Sequence, residues 1–543
     1  MLNQIRNSLL VLSALLAISA CDKPQENKPE VKQDVDFQPG KILVGTLPEI
    51  SRSLANGEVT SEQLVTLYLK RIDMVDRAGP NLQSVLSINP DAMAEAQRLD
   101  KLRQSGEVLG PLHGIPILLK DNIESIDKIP TTAGALALKE NYADTDSPLV
   151  AGLRKAGAII LGKTNLSQWA NFRSEDSMSG WSALGGQVRN PHVLSRNPCG
   201  SSSGSGAAAA ASLASGTVGT ETNGSIICPS NVNGIVGFKP TVGVVSQSGI
   251  IPISVTQDTA GPMTKSVEGA ALMMNAMAST ETDYTALLKP GSLKGVRVGV
   301  VRFASASYQP INDLFEAALK DLVEAGAILV DINDRPATPE NYSKHTYDLL
   351  KYEFKDGLNK YLATTDPAKV TTRTLAEVIE FNKEHADIEM ALFNQSIFDK
   401  SEQMDAVTSE GYLNTLAIVL KTNREEGIDF LMSEHNVQVL VSPSGVLAPA
   451  IDPVNGDVWP GGWPGIGSYA ARAGYPHATV PMGTFRHLPV GISFVGGANQ
   501  DANILGYAYA YEQQSMKRAT PRYLPTVDMA PEIKKAMRPH TGK

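Results

Sequence analysis

A chain of 543 residues is long enough to bury one large core or to divide into several ordinary domains. Its composition, 42% hydrophobic and 19% charged with 46 Gly and 33 Pro, is that of a soluble globular protein. A formal net charge of −9 leaves no basic footprint for nucleic acid, and no internal repeat of about 20 to 50 residues points to a solenoid or propeller.

The N-terminal stretch "MLNQIRNSLLVLSALLAISAC" carries a single charge, Arg6, ahead of the apolar run "LLVLSALLAI". That run has the length of a secretory signal and is too short to cross a bilayer as a helix. It ends in Ile18-Ser19-Ala20-Cys21, similar to a bacterial lipobox, in which Cys21 is lipidated once residues 1–20 are removed. The competing readings are an ordinary signal peptide cut near Ala20 and a short buried helix. Residues 21–44 then read as the lipidated cysteine and a polar, Pro-containing tether. On this reading the membrane is reached through the acyl chains alone, and the protein faces the periplasm or the cell surface.

Downstream, Thr60-Ser61-Glu62-Gln63 fits a capping box ahead of the helical pattern "LVTLYLKRIDMV". "DAMAEAQRLDKLRQSG" predicts a second helix, stopped at Gly106. Strands are expected in "HGIPILLKDNI", "GAIILGKTN", "GVRVGVVRF", "AILVDI", "VQVLVSPS" and "PVGISFVGG". Residues 340–435 read as mostly helical, a cap or insertion over the sheet. Strands alternating with helices and no convincing linker predict an α/β fold over residues 45–530. It is a single large domain with a mixed, largely parallel central sheet covered by helices.

The segment "NPCGSSSGSGAAAAASLASGTVGTETNGSIIC", residues 197–228, is Ser- and Gly-rich yet uncharged except for Glu221. A linker fits poorly, because "AAAAASLA" is a helix former and "NGIVGFKPT" beyond it looks buried. A phosphate cradle lacks its Gly-Lys-Ser/Thr signature. Nucleophilic chemistry remains: a serine needs a base and converging backbone N–H groups for an oxyanion, and glycine lets those groups converge. None of the eight His sits in a nucleophile-elbow context, but Lys120, after the apolar run "IPILL", is placed to serve if burial disfavours its charge.

"PILLKDNI", "CGSSSGSGA" and "GTETNGSI", in that order, resemble the motifs of the amidase signature family. "GAIILGKTNLSQWA", "GIVGFKPTVGVVS", "QDTAGPM" and "AGYPHATVPMG…LPVGISFVGG" extend the resemblance over about residues 45 to 520. It implies a Ser–cisSer–Lys triad: Ser225 as nucleophile, Ser201 as the cis-serine relay and Lys120 as base. The backbone N–H groups of Thr222, Asn223, Gly224 and Ser225 are the implied oxyanion hole, and Ser202 is a supporting or purely structural hydroxyl. No metal or organic cofactor is implied. Asn223-Gly224-Ser225 departs from the usual Gly-Gly-Ser, and Ile227 stands where an arginine is usual. The motif details look closer to bacterial peptide amidases than to the tRNA-dependent amidotransferase subunit.

The expected activity is therefore hydrolysis of carboxamides, C-terminal peptide amides with release of ammonia among them. An N-acyl or aryl-acyl amide hydrolase and a non-catalytic lipid-anchored binding protein are the alternatives. A small-molecule or peptide amide is the expected partner, and a monomer is favoured. Asp258 reads as a backbone-bonding structural acid, Asp121 as a turn or capping residue or else an acid partner of Lys120, and His113 as a packed loop residue. Thr164 and Asn165 read as loop supports. Trp459 and Trp463 border a substrate entrance or form a folded surface loop. With Cys21 set aside, Cys199 and Cys228 are expected as two small buried thiols rather than a disulfide.

Overall fold

The structure, a computed structural model, describes residues 39–539. The expected signal peptide, Cys21 and the first part of the expected tether lie outside the described residues. The tether's last residues do not: Pro39–Val44 form a helix, and Leu43 is buried in the main core.

Capping follows the sequence closely. The helix Ser61–Arg71 starts at a reciprocal box in which Gln63 N–H donates to Thr60 Oγ1 (3.1 Å) and Thr60 N–H to Gln63 Oε1 (2.9 Å). Leu64, Val65 and Tyr68 face the core from it. The next long helix, Ala92–Gln104, ends two residues before Gly106, which adopts φ +85°.

Thirteen strands occur among the described residues. In chain order they are β1 (Val85–Ile88), β2 (Pro116–Lys120), β3 (Ile159–Thr164), β4 (Trp181–Ser182), β5 (Gly186–Gln187), β6 (Gly216–Glu221) and β7 (Val236–Lys239). They continue with β8 (Thr259–Thr264), β9 (Arg297–Val301), β10 (Ile328–Ile332), β11 (Val439–Pro443), β12 (His477–Phe485) and β13 (Leu488–Val495). β4 and β5 pair as a small hairpin; the other eleven form one sheet in the order β1-β3-β2-β6-β8-β7-β12-β13-β11-β9-β10.

The sheet is mixed, as expected. Its parallel ladders stand in two blocks, β3-β2-β6 and β11-β9-β10. Antiparallel ladders through β8, β7, β12 and β13 join them. β2 and β3 are buried along their whole length, as strands covered on both faces must be. Helices cover the sheet, and a helical layer, Tyr342–Thr364 to Asp429–Glu434, is inserted between β10 and β11. Phe354, Leu358, Leu362 and Phe398 of that layer share an apolar cluster with Ala133, Trp169, Phe172 and Ile251 from loops of the sheet body.

One expectation is corrected. Cys199 and Cys228 are joined by a disulfide, with Cα atoms 5.8 Å apart. Burial alone suggested two thiols. The fold brings the loop before Ser201 onto the helix Ile227–Asn233, at a separation a disulfide spans.

Candidate active site

Lys120 is the last residue of β2, and its side chain is wholly buried. Flanking parallel strands fix its backbone, and Nζ lies 2.8 Å from Ser201 Oγ, 2.7 Å from Thr220 Oγ1 and 3.3 Å from Thr220 O. Desolvation lowers its pKa to about 7, opposed by the negative charges of Asp258 and Glu221. Three further buried lysines have other partners. Lys163 donates to Ile123 O and Thr131 Oγ1, Lys239 to Pro240 O, and Lys265 to Leu43 O and Ser212 Oγ, so Lys120 is the one of the four that meets a serine of the Ser201–Ser205 run.

Ser201 follows a cis peptide bond, Gly200–Ser201, in the place where the family resemblance implies one. Gly200 fits there because a Cβ would stand 2.1 Å from Ser167 Oγ. The serines that follow knit the short helix Ser203–Ala210 to the sheet. Ser202 Oγ donates to Thr220 O (2.9 Å) and accepts from Thr220 N–H (3.1 Å). Ser205 Oγ donates to Val218 O and lies 2.8 Å from Thr164 Oγ1. The Ser-Gly run is thus a packed floor, its small side chains letting a helix lie directly on β3 and β6.

Ser225 stands beside this pair, with its carbonyl accepting from Ser202 N–H (3.2 Å) and 9% of its surface exposed. No hydrogen bond joins Ser225 Oγ to Ser201 Oγ among the described residues; such contacts commonly tighten only when substrate is bound. The loop carrying Ser225 turns back because Glu221 Oε2 accepts the N–H groups of Ile226 (2.7 Å) and Ile227 (3.0 Å). Gly224 adopts φ +86° there, with open space where a Cβ would stand, so conformation and not room demands glycine. The N–H groups of Thr222, Asn223, Gly224 and Ser225 have no acceptor among the described residues.

Two cavities flank this loop. The larger, about 610 Å³, is bounded on the catalytic side by Asn122, Thr220, Thr222 and Asp258. The smaller, about 240 Å³, is lined by Gly200, Asn223 and Gly224 together with Trp459 and Trp463, whose rings meet edge to face at 5.2 Å. The tryptophan pair therefore borders a space that opens on the serine loop.

The secondary expectations resolve individually. Asp258 accepts from Ile253 N–H (2.7 Å) and Ser254 N–H (2.9 Å), a backbone-bonding acid, but it also takes the Thr222 hydroxyl at 2.5 Å. Burial pushes its carboxyl up to about 6. Asp121 serves a turn, accepting from Thr132 N–H at 3.2 Å, and burial raises it to about 6. Asn165 Nδ2 ties down Gln83 O and Gly186 O, and Thr164 bonds Leu119 O and Ser205. His113 is spent on Leu99 O and Leu109 N–H. Sequence reading missed Thr220, which accepts from both Lys120 and Asn122 (3.0 Å). Its signal was strand alternation, since Thr220 and Thr222 fall two apart in "GTET".

The model of the Amidase family matches residues 63–505. The crystal structure of native peptide amidase from Stenotrophomonas maltophilia superposes with a TM-score of 0.83 at 42% identity, covering 88% of this chain and 98% of that one. A protein of Arabidopsis thaliana described as a probable amidase is 34% identical over 539 residues, 95% of this chain and 97% of its own. A glutamyl-tRNA(Gln) amidotransferase subunit from Halorhodospira halophila is 31% identical over 499 residues, 86% of this chain and 96% of its own. With the Amidase model matching most of the chain and these relatives covering nearly all of it, the chain belongs to the amidase signature family and is an amide-hydrolysing enzyme.

Proposed function

We propose that the enzyme hydrolyses primary carboxamides, C-terminally amidated peptides in particular, through an acyl-enzyme on Ser225. The observation that carries the reading is the buried Lys120, held between Ser201 and Thr220 and driven toward its neutral form by desolvation. A neutral amine has two N–H groups and one lone pair. With Thr220 Oγ1 and O taking the N–H groups, the lone pair faces Ser201 Oγ.

Ser225 Oγ attacks the carbonyl carbon as its proton passes to Ser201, whose own proton passes to Lys120. The oxyanion is received by backbone N–H groups of residues 222–225, each donor of this kind supplying about 3–4 kcal/mol in favourable cases. Collapse breaks the C–N bond, and the proton returns from Lys120 through Ser201 to the departing ammonia. Water then hydrolyses the ester by the same relay. The larger cavity suits the acyl part, because ammonia needs almost no room. Support for peptide amides comes from the 42% identity to a peptide amidase, against 31% to the tRNA-dependent amidotransferase chain.

The test is ammonia release from amidated dipeptides, a fatty amide and an anilide, by wild type and by Ser225→Ala and Lys120→Ala. Release from the peptide amides, lost in both variants while they stay folded, is expected. Hydrolysis that survives Ser225→Ala sinks the reading.

We further propose that the enzyme is an exported lipoprotein anchored at Cys21. The apolar run ending in Ile18-Ser19-Ala20-Cys21 supports this, as does the Cys199–Cys228 disulfide, since disulfides persist in oxidising compartments.

A further inference from the structure

The larger cavity carries a charge imbalance that amide chemistry does not require. Beyond Thr220 and Thr222 its wall holds four carboxylates, Glu124, Asp258, Glu353 and Asp356, against one lysine, Lys360. Lys360 pairs with Asp356 at 2.7 Å, and its side chain is 72% exposed, so solvent screens much of its charge. Among the described residues no cation stands within 4 Å of the carboxylates of Glu124, Asp258 or Glu353 (all four acids are on or beside the helix Tyr342–Thr364 and the loops below it).

Burial raises the carboxyls of Asp258 and Glu353, which are held by hydroxyl and backbone donors with no cation in direct contact. A second observation points to a missing donor. Asn122, 3% exposed, lines the cavity and gives its amide N–H to Thr220, while its Oδ1 has no hydrogen-bond partner. Buried acceptors left unpaired are rare and costly, so an entering N–H group gains there what water cannot readily supply. The intervening wall is apolar, Ile250, Ile251, Pro252 and Val255, which matches an aliphatic stem with a polar head.

Resting on the peptide-amide reading, we infer that this cavity selects amides whose acyl part carries an aliphatic ammonium, the lysine side chain being the fitting case. The stem lies on the isoleucine and proline wall, and the ammonium reaches the carboxylates that have no cation of their own.

The test uses N-acetylated dipeptide amides at pH 8, with lysine or its uncharged counterpart norleucine at the amidated residue or at the one before it. At one of the two positions lysine is expected to exceed norleucine in kcat/KM by about tenfold or more, a preference that shrinks with added salt. In Glu124→Gln, which keeps an acceptor for the Tyr361 hydroxyl and removes one of the unpaired charges, the lysine-to-norleucine ratio is expected to fall toward one. Equal turnover of lysine and norleucine at both positions, abolished by Ser225→Ala, overturns this inference and leaves the peptide-amide reading standing. Turnover of neither defeats both.

Discussion

If the proposed relay operates, Lys120 and Thr220 decide when it can work. A base must be neutral to accept the proton from Ser201, and burial brings Lys120 to about 7 instead of its ordinary value near 10.5. The acidic limb of kcat/KM should therefore rise with pH through about 7, as the ammonium loses its proton. Thr220 Oγ1, 2.7 Å from Nζ, both orients the amine and favours its charged form. Thr220→Val removes that acceptor. It should lower kcat by about 10- to 100-fold with little change in KM, and move the acidic limb to lower pH. A structural loss would lower activity without moving the limb, so an unshifted profile counts against this role. Lys120, Ser201 and Ser225 stood out in sequence because each sits in a motif with its own spacing, and the fold brings Lys120 onto Ser201. Thr220 did not, since alternation in "GTET" puts Thr220 and Thr222 on one face of a strand without saying which partner that face meets until the fold brings β2 beside β6.

At the scale of elements, the site is a junction of two chain reversals. One brings the loop 199–201 onto the helix Ser203–Ala210; the other brings residues 222–225 onto the helix Ile227–Asn233. The Cys199–Cys228 disulfide ties the first to the second across 29 residues of sequence. Closing a loop of that length should stabilise the native state by about 3 kcal/mol, mainly by restricting the unfolded chain. Cys199→Ala/Cys228→Ala should lower the denaturant midpoint accordingly and reduce kcat, because both catalytic loops lose their common tie. An unchanged midpoint and unchanged turnover would remove the disulfide from any account of the site. Sequence patterns anticipated six strands of the sheet and the Thr60 cap, where apolar runs and capping residues act locally. The antiparallel middle, β8-β7-β12-β13, was not anticipated: strand direction depends on where a connection returns, and alternation of strands with helices reports only that it returns.

At the scale of the molecule, the helical layer and the sheet body are one cooperative unit, because each completes the other's core. Wholly buried Arg173 of the body donates to Glu389 O of the layer and stands 4.3 Å from the Phe393 ring centroid. Glu389 in turn accepts from Leu136 N–H and Gln168. The layer also supplies Glu353 and Asp356 to the larger cavity, so that cavity is walled by both sheet body and layer. The membrane question belongs to the other end of the chain. No helix among the described residues is long and apolar enough to cross a bilayer. If Cys21 carries the anchor, attachment and catalysis are separable, since acyl chains alone supply the affinity. The full-length chain should then partition with membranes and incorporate labelled palmitate when expressed in a bacterium that processes lipoproteins. Cys21→Ser should shift it to the aqueous fraction with ammonia release unchanged. Membrane retention that survives Cys21→Ser would place the contact on the folded body instead and reject the lipid anchor.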